Sequence, residues 1–271
     1  MLTTKKLNIL LIIFIILFGF KIFVLEQRIK SQKIIAFSYF GNKEKFLIGL
    51  LRNVRVIPEI YGPDYTIRIY TDEDIKEVEH LPYVEVILVQ GQSVFGIPLE
   101  NITPTVWRFL PILDANVIEF HSRDLDSLPS LRERKAVEEF VNSNAILHIM
   151  RDNRAHSAPI LAGMWGAKPQ ENHQFFETLM KPLFLAAVEN PDRYTDQILL
   201  AKHVYPYING MTLAHDSYNC VQLRINETKG FPSQRLEEPM NFVGSVQDYF
   251  AEPMMEVCPP PCRRNPDWKY C

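Results

Sequence analysis

Short apolar runs alternate along the chain with stretches in which apolar residues recur every three to four positions. The short runs predict buried strands at residues 34–40, 66–72, 84–89, from 117, 145–152 and 212–216. The longer periodic stretches predict helices at residues 46–57, 105–113, 131–141, 175–188 and 195–203, the first of them ended by Pro58. Strands that alternate with helices indicate an α/β fold, with a mostly parallel sheet and crossover helices.

The N-terminal pattern differs from the rest. Residues 7–25 are apolar except for Lys21, and their number is close to the roughly 20 residues that span a bilayer. Because Lys5 and Lys6 precede this run, we expect a single-pass anchor with a cytoplasmic N-terminus, although basic residues also follow it. A cleaved signal peptide is the alternative.

These boundaries divide the chain into five parts. They are a cytoplasmic tail at 1–6, a transmembrane signal anchor at 7–25, a stem at 26–33, a globular domain at 34–246 and a Pro- and Cys-rich tail at 247–271.

Composition adds little to this division. The chain has 271 residues, of which 47% are hydrophobic and 23% charged, as expected for one large globular domain or two small ones. Its formal net charge of −3 does not suggest a nucleic-acid partner.

Cysteines and glycosylation acceptor patterns favour the secretory pathway. Four cysteines, three of them close to the C-terminus, predict two disulfides of undetermined pairing: Cys220, Cys258, Cys262 and Cys271. A zinc site at the Cys258-x3-Cys262 pair is the alternative, and no histidine lies near it. Asn101-Ile102-Thr103 and Asn226-Glu227-Thr228 match the N-glycosylation pattern.

A pair of carboxylates follows the strand that begins at Val117. Asp124 and Asp126 are one residue apart, so in extended backbone they point to the same side and repel each other unless a cation lies between them. Mg²⁺ or Mn²⁺ suits such oxygen ligands and keeps positions open for phosphate oxygens. An ordinary surface turn after a strand is the alternative for the D-x-D triplet.

Polar residues also end other predicted strands. Ser38, Tyr39 and Asp72 lie at strand ends, as do the two aspartates. Ligands of mostly parallel sheets bind beyond the carboxyl ends of the strands, so we expect a ligand site there.

The chain resembles glycosyltransferases of the GT-A type. The resemblance is carried by the N-terminal anchor, a Rossmann-like half and the D-x-D after the fourth strand. An ordered series over about residues 34–246 is similar to a little-characterised GT-A-like family: Tyr39-Phe40-Gly41, Ile69-Tyr70-Thr71-Asp72, Val106-Trp107-Arg108-Phe109, Ser122-Arg123-Asp124-Leu125-Asp126-Ser127, Gly163-Met164-Trp165-Gly166-Ala167, Asp196-Gln197 and His215-Asp216-Ser217-Tyr218. The resemblance implies a mixed Rossmann-type sheet flanked by helices, and transfer of a sugar from a nucleotide-sugar donor.

The resemblance also implies roles for particular residues. Asp124, Asp126 and His215 would hold Mn²⁺ or Mg²⁺ at the donor diphosphate, and Asp196 would be a catalytic base or merely a helix cap. Contacts to the nucleotide sugar are expected from Ser38, Tyr39, Asp72, Arg108, Arg123, Trp165 and Gly166. The alternatives are a buried structural histidine at 215, ion pairs for the two arginines and core packing for the tryptophan. The five histidines His121, His148, His156, His173 and His203 are interpreted as structural.

The sequence thus predicts a metal-dependent glycosyltransferase in the Golgi or endoplasmic reticulum membrane, with its catalytic domain in the lumen. Its acceptor would be a glycan, glycoprotein or glycolipid. A catalytically silent GT-A-like protein that binds a sugar or a partner is the first alternative, and metal-dependent nucleotide hydrolysis without an acceptor is the second.

Overall fold

The computed structural model describes residues 31–41, 43–188, 194–225, 227–235, 242–246 and 256–271. The expected cytoplasmic tail, anchor and most of the stem lie outside these residues. Within the described part of the chain, no helix is both long and apolar enough to cross a bilayer.

Ten strands and four α-helices make up the described structure. The strands are β1 (Gln32–Tyr39), β2 (Tyr65–Thr71), β3 (Val84–Leu88), β4 (Ser93–Val94), β5 (Ile97–Pro98), β6 (Val117–Arg123), β7 (Leu147–Arg151), β8 (Met164–Ala167), β9 (Thr212–Asp216) and β10 (Glu227–Lys229). The α-helices are α1 (Glu44–Tyr61), α2 (Leu131–Val141), α3 (His173–Ala186) and α4 (Thr195–His203). Short 3₁₀ helices cover Leu99–Asn101, Pro104–Leu113, Gln170–Asn172, Tyr205–Tyr207 and Pro260–Cys262.

Eight of the strands form one sheet in the order β10-β9-β7-β8-β6-β1-β2-β3. Neighbouring strands are parallel except at β8, which runs antiparallel to both β6 and β7. The predicted α/β class with a mostly parallel, helix-flanked sheet is therefore confirmed.

Each face of the sheet carries its own apolar core. Alternate residues of β1 point to opposite faces, as strand geometry requires. Ile35 and Phe37 pack with α1, whereas Ile34 and Ala36 pack with the 3₁₀ helix Pro104–Leu113 and with α3 and α4. Because both faces are covered, β1 is a continuous apolar run, which is why its sequence predicted a buried strand.

Two predicted boundaries are wrong. Helix α1 does not end at Pro58 but continues to Tyr61, where Gly62 closes it in a left-handed conformation (φ +87°). Proline removes one helical hydrogen bond, and the burial of Ile57 and Tyr61 on either side of it offsets that loss. Strand β1 begins at Gln32, so the last two residues assigned to the stem belong to the sheet.

No strand was predicted at residues 164–167, but the structure forms one there. Met164–Ala167 is strand β8, held between β6 and β7. The predicted helix at 105–113 is a 3₁₀ helix, and β10 lies where no strand was predicted.

The chain forms two disulfides, which confirms the prediction of two bridges. Cys220–Cys262 fastens the C-terminal tail to the domain, and Cys258–Cys271 closes a loop within the tail. All four sulfurs are used, so none is free for zinc. The Tyr218 hydroxyl also donates to the carbonyl of Glu256, 3.0 Å away.

Candidate active site

A cavity of about 690 Å³ opens where β1 and β6 end. Its wall includes five of the residues that the sequence singled out: Ser38, Arg108, Asp124, Asp126 and Asp196. They come from β1, the 3₁₀ helix Pro104–Leu113, the turn after β6 and the first turn of α4. The antiparallel strand β8 enters the same edge of the sheet with its amino end, so Gly163 and Met164 also reach the cavity.

The guanidinium of Arg108 links two of the carboxylates. Its Nη2 donates to Oδ2 of Asp196 at 2.8 Å, and its Nη1 donates to Oδ1 of Asp124 and to the carbonyl of Arg123, 3.0 Å away. The hydroxyl of Ser38 accepts the backbone N–H of Arg108 at 2.9 Å. Arg108 and Asp196 are buried, so this pairing fixes both side chains.

The carboxylate of Asp124 shifts the pKa values of the other two carboxylates of the site. Burial and the charge of Asp124 raise the pKa of Asp126. Burial also raises the pKa of Asp196, against the opposing effect of Arg108 and with a further contribution from Asp124. A cation bound between these carboxylates would lower both pKa values.

Two lysines that sequence reasoning missed also line the cavity. Lys43 and Lys45 lie at the start of α1, on the side of the wall formed by the end of β1. Their ammonium groups supply positive charge for an anionic ligand. The missed signal is a Lys-x-Lys pair immediately after a strand and before a helix.

The carboxylates of Asp124 and Asp126 suit a divalent ion whose other coordination positions are filled by water or by a bound ligand. The described residues contain no group of three His, Cys, Asp or Glu side chains arranged to hold a metal. Two carboxylates suffice for Mg²⁺ or Mn²⁺ when waters and phosphate oxygens complete the shell. Asp124 and Asp126 on one wall therefore fit such an ion, as two ligands and not three.

His215 is placed away from the other expected metal ligands, which corrects that part of the expectation. It is fully buried on β9, its Nδ1 lies 2.8 Å from Nε2 of His148, and its Nε2 lies 3.2 Å from Oε2 of Glu139. Both ring nitrogens are thus used inside the protein, and the ring does not line the cavity.

Trp165 and Gly166 are also outside the cavity, because β8 carries them into the sheet. The Trp165 ring is fully buried, edge-on to Phe109 and Phe120 with centroids 5.2 Å from each. A β-carbon at Gly166 would lie 2.5 Å from the carbonyl oxygen of Phe120, so this glycine permits close strand pairing and not ligand approach.

Three other residues that were expected to contact the nucleotide sugar lie outside the cavity. The Arg123 guanidinium turns under the helices, with Nε donating to Glu133 at 2.7 Å. Tyr39 is buried in the core beneath α1. Asp72 is exposed and accepts the backbone N–H of Gly41 at 3.4 Å.

His156, interpreted from sequence as structural, lines the cavity. Its Nδ1 accepts the backbone N–H of Asp152 at 3.0 Å, and its carbonyl accepts from Nδ2 of Asn219 at 3.0 Å. Burial is the main reason that its pKa falls to about 4. No motif marked this histidine, because the loop that carries it has no periodic pattern.

Gly163 brings the backbone against the D-x-D turn. A β-carbon there would lie 2.0 Å from Oδ2 of Asp124. Any larger residue at position 163 would displace the Asp124 carboxylate.

Comparisons with known proteins identify no family. No family model matches the chain, and no curated protein matches it. Among solved structures, it is similar to one described as a "Crystal structure of a glycosyltransferase involved in the glycosylation of the major capsid of PBCV-1". The TM-score is 0.38 and the identity 16%, over 69% of this chain and 82% of that one. Values this low establish neither a common family nor a common activity.

Proposed function

We propose that this protein is a metal-dependent glycosyltransferase that moves a sugar from a nucleotide-sugar donor to a hydroxyl-bearing acceptor. One observation carries the proposal. Asp124, Asp126, Arg108 and Asp196 converge on a single cavity at the carboxyl edge of a mostly parallel sheet, and Lys43 also lines it. A volume of about 690 Å³ falls in the range of small-molecule sites.

In this proposal the phosphates and the sugar occupy different parts of the cavity. Asp124 and Asp126 would hold Mg²⁺ or Mn²⁺, which when bound supplies positive charge for the departing nucleoside diphosphate. Lys43 and Lys45 bind phosphate oxygens from the side of β1. Arg108 keeps Asp124 and Asp196 in fixed positions.

Asp196 is the proposed base. The acceptor hydroxyl oxygen forms a bond to the anomeric carbon, and the bond from that carbon to the phosphate oxygen breaks. The hydroxyl proton passes to the carboxylate of Asp196, whose raised pKa makes it a stronger base than an ordinary aspartate. This single displacement would invert the anomeric carbon.

A panel of UDP- and GDP-hexoses with Mn²⁺ tests the proposal. Slow hydrolysis or transfer of one donor, abolished by EDTA and restored by Mn²⁺ or Mg²⁺, is the expected result. Hydrolysis of plain nucleotides alone would instead indicate a nucleotide hydrolase.

A catalytically silent sugar-binding protein is the second candidate. The pairing of Asp124 with Arg108 favours it, because a guanidinium already neutralises this carboxylate without a metal. Saturable binding of one nucleotide sugar with no turnover would identify this second function.

We also propose that the domain works in the lumen of the secretory pathway, anchored by residues 7–25. Asn101 is exposed at the end of a 3₁₀ helix, where a glycan can be carried, while Asn226 lies outside the described residues. Expressed in secretory cells, the protein should shift on a gel after glycosidase treatment, and Asn101→Gln should remove part of the shift. An unmoved band from cytosolic protein would contradict this location.

A further inference from the structure

His156 is the side chain in the cavity wall that the proposed mechanism leaves unused. It lies in the loop between β7 and β8, on the wall that also holds Met164 and Gly244. Lys43 and Lys45 line the same cavity from a different element, at the start of α1.

The ring of His156 is held from several sides. The backbone N–H of Asp152 donates to Nδ1, the side-chain amide of Asn219 donates to the carbonyl, and the ring of Phe242 packs edge-on with centroids 5.6 Å apart. Asp152 is itself fixed by both Arg132 and Arg235, at 2.8 and 2.9 Å. The position of the imidazole is thus determined before any ligand arrives.

These contacts also fix which nitrogen carries the proton. Since Nδ1 accepts an N–H, the neutral ring must carry its hydrogen on Nε2. That nitrogen has no hydrogen-bond partner in the described part of the chain. It is also not sealed in the interior, in contrast to Nδ1 of His121 and of His148. The result is an N–H donor without a protein acceptor at the wall of the cavity.

The Nε2–H group of His156 is uncharged, and this determines which kind of ligand group suits it. Burial lowers the pKa of His156 to about 4, so the ring stays uncharged at neutral pH. Phosphate oxygens are better served by the lysines and a metal, whereas an uncharged N–H suits a sugar hydroxyl. His156 also lies within electrostatic reach of Asp124, a carboxylate of the D-x-D turn.

We propose that His156 is a specificity-determining residue, whose Nε2–H donates a hydrogen bond to one hydroxyl oxygen of the transferred sugar. This inference rests on the proposed function. In this assignment the loop between β7 and β8 distinguishes sugars by the configuration of their hydroxyl groups. The D-x-D turn and α1 bind the diphosphate, which all nucleoside diphosphate sugars share.

The test compares His156→Phe, which keeps an aromatic ring against Phe242, with His156→Gln, which keeps an N–H donor. The exposed His80, changed to Phe, is the matched control. Each variant is assayed with the donor that the wild type turns over and with its monodeoxy analogues. Thermal unfolding shows whether His156→Phe remains folded, and His156→Gln tests the donor independently.

The expected result is a loss of about tenfold in kcat/KM for His156→Phe with the intact donor, since one neutral hydrogen bond is removed. Against one deoxy analogue the loss should vanish, because the partner hydroxyl is already missing. His156→Gln should recover much of the activity, and inhibition by the free nucleotide should not change. An equal loss against every analogue, or no loss at all, would overturn the assignment.

If the wild type turns over no nucleotide sugar, the proposed function fails and His156 is tested by binding alone. The probes are free glucose, galactose, mannose and N-acetylglucosamine, titrated while the ¹⁵N signal of the His156 ring is followed. A saturable shift of Nε2 with one sugar supports the hydroxyl contact, whereas no shift with any of them rejects it.

Discussion

Arg108 links two carboxylates of the site through one side chain. Its two terminal nitrogens reach Asp124 and Asp196, which come from turns 72 positions apart in sequence, and its own N–H is fixed by Ser38. A planar fork of donors holds two carboxylates in fixed directions, which the rotatable ammonium of a lysine does not. The positions of the proposed metal ligand Asp124 and of the proposed base Asp196 are therefore coupled through one guanidinium.

Replacing Arg108 should affect fold and activity differently according to the substitute. Arg108→Ala leaves Asp196 buried without its partner, and we expect a loss of about 3 kcal/mol in the free energy of unfolding. Arg108→Lys should keep most stability, because it keeps the charge, but lose most transfer. Urea unfolding and the donor assay measure the two effects. Arg154→Ala, at an exposed position, is the control, and equal activity of the Lys variant would contradict the coupling.

The two aspartates of the D-x-D should respond oppositely in stability and alike in activity. Asp126→Asn removes a charge that burial and Asp124 already disfavour, so the metal-free protein should melt at a higher temperature. Asp124→Asn weakens the ion pair with Arg108 and should lower the melting temperature. Both should reduce transfer about a hundredfold or more.

Asp72→Asn is the matched control for these changes, since Asp72 also ends a strand but does not line the cavity. Full transfer that is insensitive to chelator in an Asp124→Asn, Asp126→Asn double variant would refute the metal proposal.

Among the elements, helix α2 covers a polar layer on one face of the sheet. Beneath it lie the buried rings of His121, His148 and His215, from β6, β7 and β9. His148 is stacked on Phe140 of α2 with centroids 4.9 Å apart, and Glu139 of the same helix contacts His215. This layer was invisible to sequence patterning, because which face of a strand a histidine occupies depends on pairing with distant strands.

This layer makes the fold sensitive to acid. Burial lowers the pKa of all three histidines, and that of His148 most strongly. Below the unfolded value of about 6.5 the unfolded chain takes up protons that the folded chain resists. Each such histidine then removes up to about 1.4 kcal/mol of stability per pH unit.

Melting temperatures between pH 7.5 and 5 should fall accordingly. His148→Phe should give a shallower slope over that window, whatever its effect at pH 7.5. Loss of the Glu139 contacts adds to the decline only at lower pH, because the Glu139 pKa is depressed to about 2 by its hydrogen bond to His215. A slope unchanged by His148→Phe would count against the role of this layer.

Most of the sheet could be predicted, since parallel strands covered on both faces are unbroken apolar runs. Because the strands were recognisable, Ser38 and Asp124 could be placed at the carboxyl ends of β1 and β6, where the structure has them. Strand β8 was missed, because four residues containing Gly166 carry no periodicity and its antiparallel insertion is a tertiary choice. Trp165 lies on this strand, and its burial could not be predicted for that reason. His215 lies on a predicted strand, but its partners Glu139 and His148 come from elements far away in sequence.

For the molecule as a whole, one disulfide joins the C-terminal tail to the segment after β9, and the other closes a loop within that tail. Cys220–Cys262 spans 42 residues and Cys258–Cys271 spans 13. Loop-closure entropy gives about 4 kcal/mol for the first bridge and about 3 kcal/mol for the second.

Removing the bridges in pairs should reveal this difference. Cys220→Ser with Cys262→Ser should lower the free energy of unfolding by about 1 kcal/mol more than Cys258→Ser with Cys271→Ser. Urea titration of both double variants measures it, and mass mapping of the wild type checks the pairing. A larger loss from the shorter loop would mean that strain or native contacts, and not chain entropy, dominate.

Cys220 and Cys262 turn a length of the polypeptide into a covalent ring. Gly244, which forms part of the cavity wall, belongs to that ring, and Val243 beside it donates its N–H to Asp152 at 2.9 Å. A protease that cuts one peptide bond between the two cysteines would therefore produce a nicked protein and not two separate fragments. The wall would stay tethered on both sides of the cut, and only a reductant would release it.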